Sequence, residues 1–188
     1  MQILRRFIIT GLASLPMITM AHSGHVHQNS FLNGFIHPFT GIDHLMMAIA
    51  CGVLMWTAHK NWKIIGIIGL IFAMGVGFFI GSETAISASI AEYGIVFSLL
   101  VLTVGLWVKS NNTLPIAAIL LASFHGIAHG VELGHSGNAV MLILGMLLAM
   151  SFIYLSGLAL GAFIQKYVPH GKKVVAVLTA FVAMIGLA

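Results

Sequence analysis

The chain has 188 residues, 60% of them hydrophobic and only 6% charged, with a mean hydropathy of +1.07. Soluble domains carry about 25% charged residues, so this composition belongs to an integral membrane protein. The formal charge of +4 arises from eight Lys and Arg against four acids, too few and too dispersed for nucleic-acid binding, and the single cysteine excludes an internal disulfide.

Residues 1–21 have the layout of a cleaved secretory signal. Arg5 and Arg6 supply the positive start, Phe7 to Met20 the apolar core, and Thr19-Met20-Ala21 a small-residue cleavage site. The mature chain then begins at His22 in an extracytoplasmic space. Residues 22–37 form a periplasmic segment whose His22, His25 and His27 are three histidines in six residues, suited to collecting metal at the membrane surface. Residues 28–36 read as a short interfacial stretch.

Residues 38–188 read as one transmembrane domain, an all-α bundle of six spans at about 38–58, 63–81, 88–108, 113–134, 138–164 and 173–188, near the ~20 residues that cross a bilayer core. The last is short and would be tilted or lie in a thinned bilayer. Cys51 falls inside the first span and reads as a small buried hydrophobe. All six lysines, Lys60, Lys63, Lys109, Lys166, Lys172 and Lys173, fall in loops on one side, with Trp56, Trp62, Trp107 and Tyr167 beside them. The positive-inside rule makes that side cytoplasmic. A cleaved signal leaves the new N-terminus outside, which agrees with an even number of spans.

The chemistry concentrates in two motifs. Span one opens with His37-Pro38-Phe39-Thr40-Gly41-Ile42-Asp43-His44. Pro38 suits the first helical position, and His44, seven residues after His37, returns to nearly the same face. Asp43 lies about 100° from His44 on a helix, so it orients an imidazole or ligates only with a local distortion. An Asp at membrane depth costs on the order of 3 kcal/mol and marks a pathway or a partner. Span four carries Phe124-His125-Gly126-Ile127-Ala128-His129-Gly130-Val131-Glu132. His125, His129 and Glu132 fall within about 60° on one helical stripe. Two imidazoles and a carboxylate on one stripe suit a borderline divalent metal.

Topology places both motifs in the same outer layer. Span one runs inward, putting His44 about 10 Å deep, while span four runs outward, putting His129 roughly 7 Å and His125 roughly 13 Å deep. Contact between spans one and four would bring together His37, Asp43, His44, His125, His129 and Glu132. Glu92 in span three reads as a buried acid near that layer, and the loop residues Glu83 and His135 as vestibule ligands.

These motifs resemble the two signatures of the HupE/UreJ family, small bacterial membrane proteins associated with nickel, and sometimes cobalt, supply to hydrogenase and urease. The resemblance extends to the signal segment, the six spans and the stretch from Ala91-Glu92-Tyr93 to Ser98-Leu99. It implies a permease of the inner membrane, with the motif histidines, Asp43 and Glu132 required and a cytoplasmic nickel acceptor as partner. The short last span and the polar Ser82-Glu83-Thr84 depart from the pattern.

No phosphate-binding loop or soluble ATPase module occurs, so transport is passive, ion-coupled or assisted by a partner. Neutral imidazoles are needed, so uptake should fall as external pH drops through about 6.5. Three other readings compete. A metal enzyme is disfavoured because the His-x-x-x-His pair lacks the adjacent Glu of H-E-x-x-H. A bis-histidine haem protein would not need Asp43 and Glu132 at one level, and no prosthetic group is expected. A metal-binding accessory or sensor that does not transport is separated from a permease only by flux.

Overall fold

The computed structural model describes residues 30–108, 112–135 and 138–187. The expected signal, residues 1–21, and the terminal histidines His22, His25 and His27 lie outside the described residues. Every regular element among the described residues is a helix: α1 (Ser30–Thr40), α2 (Ile42–Thr57), α3 (Trp62–Glu83), α4 (Ala88–Trp107), α5 (Thr113–Leu121), α6 (Ser123–Leu133), α7 (Ala139–Tyr167) and α8 (Gly171–Ile185).

Four of the expected spans appear within a few residues of their predicted bounds. α3, α4, the α5–α6 pair and α7 are each long and apolar enough to cross a membrane, and the α1–α2 pair brings the number to five. α8 has 15 residues. It rises only about 22 Å, short of the ~30 Å hydrocarbon core. Large apolar side chains such as Ile64, Ile68, Phe72 and Phe79 are exposed along α3. A surface of this kind belongs against lipid tails, and the chain is a multi-pass membrane protein.

The first span departs from expectation. Pro38 does not open a helix but sits inside α1, which begins eight residues earlier at Ser30. The chain then breaks at Gly41 and turns by 76° into α2. The cause is local. Proline cannot donate back to the carbonyl of residue 34, which weakens the last turn of α1. The freed end closes on itself, with Thr40 Oγ1 and the Gly41 N–H both donating to the His37 carbonyl at 2.7 and 3.3 Å. Gly41 is extended (φ −88°, ψ 113°), and its carbonyl accepts from Leu45 to start α2. Within span four a milder interruption occurs at Ala122 (φ −61°, ψ −18°), beside which the Ser123 hydroxyl donates to the Leu120 carbonyl at 2.7 Å. Such back-bonding from serine bends helices without ending them.

Glycines decide which helices pair. Gly126 and Gly130 of α6 lie on the Met74 and Phe78 carbonyls of α3, and Gly77 and Gly81 of α3 lie on the Ser123 and Ile127 carbonyls of α6. The contact is reciprocal, backbone against backbone, as small residues allow between membrane helices. α7 is used twice in the same way: Gly145 meets the Phe31 carbonyl of α1 and Gly157 meets the Ile49 carbonyl of α2, answered by Gly34 and Gly52. Two tightly joined groups result, α1–α2–α7 and α3–α6. α4 bridges them by packing on both α2 and α6, and it also carries α8.

The lysines mark the opposite end from the two motifs. Lys63 lies 3.3 Å from the Trp56 ring centre, Lys166 4.9 Å from Tyr167 and Lys173 5.1 Å from Trp107. Lys166, Lys172 and Lys173, expected in a loop, instead occupy the last turn of α7 and the first turn of α8. The aromatic belt and the cationic belt coincide, as they do at one membrane face.

Candidate metal centre

The bend at Gly41 is what assembles the cluster. It leaves His37 near the end of α1 and His44 in the first turn of α2, folded back toward each other with ring centres 5.4 Å apart. α6 presents His129 to the same space and, one turn earlier, His125 beside the His44 ring. His129 stands 4.7 Å from the rings of both His37 and His44, and His125 stands 5.1 Å from His44. α2 and α6 meet through these side chains rather than through close backbone packing.

Three of the four imidazoles converge as ligands would. One nitrogen each of His37, His44 and His129 lies within 4.8 Å of the other two. The Nε2 atoms of His44 and His129 face each other at 2.5 Å. Asp43 sits beside them, its Oδ1 3.0 Å from His44 Nδ1. That contact holds the ring proton on Nδ1 and turns the Nε2 lone pair toward His129, the usual role of a carboxylate behind a metal-binding histidine. Two facing lone pairs repel unless something positive lies between them, so the arrangement accepts a shared proton or a shared cation. His44, His125 and His129 are buried at 5%, 0% and 4% exposure. Among the described residues, neither ring nitrogen of His125 nor Nδ1 of His129 has a hydrogen-bond partner.

The other expected residues are distributed around this core. Glu132 is exposed at the end of α6 and is not among the converging ligands. It is an acid at the mouth of the cluster rather than within it. Glu92 corrects an expectation: it is exposed on α4 and not buried. Glu83, read as a loop residue, is the last residue of α3 and exposed, and His135 is exposed beyond α6. Neither joins the histidines. Cys51 is fully buried in the apolar core, as expected. A separate cavity of about 370 Å³ opens at the lysine-bearing end, lined by Thr57, Lys166, His170 and Lys172 among others, well away from the cluster.

Reading from sequence anticipated all four imidazoles. It missed how His37 reaches them, which depends on the 76° turn and not on a sevenfold repeat along one helix. Pro38 followed three residues later by Gly41 was the available signal.

Comparison with known proteins agrees with the motifs. The family model described as HupE / UreJ protein matches residues 10–188. The chain belongs to the HupE/UreJ family. It is 30% identical to Protein HupE of Rhizobium leguminosarum bv. viciae, over 96% of this chain and 95% of that protein. No solved structure matches it. Membership of HupE/UreJ puts the paired motifs, and the helices that carry them, in the context of a family rather than of a chance pattern.

Proposed function

We propose that this HupE/UreJ protein is an inner-membrane permease that carries a divalent transition-metal cation, nickel(II) with cobalt(II) as the alternative, from the periplasm toward the cytoplasm. The observation that carries the reading is the convergence of one nitrogen each from His37, His44 and His129 within 4.8 Å. Imidazole nitrogen is a good ligand for nickel and cobalt alike.

In this mechanism the cation reaches the outer mouth, where the exposed Glu132 draws it in. It exchanges water for the nitrogens of His37, His44 and His129, while Asp43 holds the His44 ring and offsets the cation's charge. Release is toward the face that carries the lysines. The terminal histidines, His22, His25 and His27, would raise the local metal concentration ahead of the site. Affinity at each stage stays modest, because a site that binds too tightly does not conduct. A cytoplasmic acceptor would take the ion as it leaves.

The test is radioactive nickel flux into proteoliposomes holding the purified protein. Wild type should accumulate nickel and His129→Ala should not, with both proteins eluting as folded particles. Equal accumulation by the two would overturn the assignment of the site. Metal bound by wild type without any flux would instead support an accessory protein that does not transport.

A further inference from the structure

We infer that His125 is a second, deeper station for the cation, entered by exchange of ligands about His44, and not a fourth member of the set that first receives it. The inference rests on the permease reading above and adds an order to it.

The four histidines are not equivalent. His37, His44 and His129 bring one nitrogen each into a common space, and His125 does not. Its ring stands instead edge-on to His44 at 84° and 5.1 Å. It is wholly buried, and among the described residues neither Nδ1 nor Nε2 has a hydrogen-bond partner. An imidazole taken out of water with no hydrogen bond is costly to keep. Such a residue packs no better than leucine would, so its nitrogens are held for something that is present only part of the time.

Position says what that is. His125 precedes His129 by one turn of α6, about 6 Å farther from the outer end by helical rise. His44 is the ring common to both sets, with His37 and His129 at 5.4 and 4.7 Å and His125 at 5.1 Å from its centre. A cation on His44 Nε2 can therefore give up His37 and His129 and gain His125 without leaving His44. Asp43 stays with His44 at both positions, its carboxylate 3.0 Å from that ring. The step between the two stations then never leaves the dication without an imidazole and a nearby carboxylate. His44 belongs to the α1–α2–α7 group and His125 to the α3–α6 group, so the exchange takes place across the contact between the two groups, where a small shear of packed helices would suffice.

The experiment separates reception from passage. Nickel binding by the detergent-purified full chain is measured by equilibrium dialysis, and flux by uptake into proteoliposomes, for wild type, His129→Ala, His125→Ala and the smaller but polar His125→Asn. His129→Ala should lose binding and flux together. Both His125 variants should bind nickel within about threefold of wild type yet lose at least tenfold in flux. Absorption at the nickel edge should count three imidazoles in wild type and the same three in His125→Asn. Four imidazoles in wild type, binding lost in a folded His125→Asn, or undiminished flux in either His125 variant would each overturn the inference. Absence of nickel flux by wild type would count against the permease itself, and the imidazole count would still decide where His125 belongs.

Discussion

Asp43 follows Gly41 by two residues and precedes His44 by one, and this crowding at the start of α2 makes two side-chain roles separable. The Asp43 carboxylate is only partly buried, with 32% of its side chain exposed, whereas the His44 ring that it holds is 7% exposed. Replacing Asp43 by Asn keeps an acceptor for Nδ1 but removes the charge, while Asp43→Ala removes both. Partners of this kind are worth about 10–100-fold in metal affinity. Asp43→Asn should therefore weaken nickel binding within that range and Asp43→Ala at its upper end, both less than His44→Ala, as measured by dialysis. Gly41 tests the same pair without touching it. A Cβ there would stand 2.7 Å from His44 Nδ1 and 3.0 Å from Asp43 Oδ1. The backbone angles of Gly41 are ones that any residue adopts, so strain is not the issue. Gly41→Ala should lower nickel affinity by prising Asp43 from His44 while the melting temperature in detergent changes little. Unchanged affinity would show that the carboxylate contact is dispensable.

At the scale of elements, the glycines of α3 and α6 matter to the site although none lies in it. Gly77 has the backbone of Ser123 and Ile127 directly against it. A leucine at that position has no room, and overpacking of this sort costs about 1–3 kcal/mol or more where backbone is the obstacle. Gly77→Leu should push α6 away from α3, lower the thermal stability of the purified protein and reduce nickel binding, while Gly75→Leu, where nothing lies within 4 Å of the added carbon, should do neither. The long helices were legible in the sequence because a continuous apolar run bounded by lysines or polar loops has few other readings. The break at Gly41 was not legible, because Pro38 is equally at home at the first position of a helix and a bend there depends on α1 finding its own bed on α7. Glu92 was misjudged for a related reason. Depth along a helix can be counted from the sequence, but the direction in which a residue faces depends on neighbours, and α4 turns Glu92 outward. Glu132 follows the same logic: it shares the stripe of His125 and His129, yet lies past the point where other helices cover that stripe.

For the whole molecule, the two motifs are divided between the two glycine-joined groups. His37, Asp43 and His44 belong to α1–α2–α7, and His125, His129 and Glu132 to α3–α6. Neither group holds the converging trio alone, so a bound cation ties one group to the other. An ion held by side chains from both groups couples its own passage to relative movement of the two sides, the arrangement from which transporters build access to alternate faces. Energy for net movement need not come from a nucleotide. A dication entering a negative interior gains about 4.6 kcal/mol per 100 mV, twice the single-charge value. If the proposed permease is passive, nickel uptake into proteoliposomes should rise when a potassium gradient and valinomycin make the interior negative, and should fall toward equilibration when the potential is collapsed. With no applied potential, an imposed proton gradient alone should not drive accumulation. Accumulation that ignores the potential but follows the proton gradient would replace the passive scheme with exchange for protons. It would leave the histidine cluster as the carrier and make proton release from its imidazoles part of every cycle.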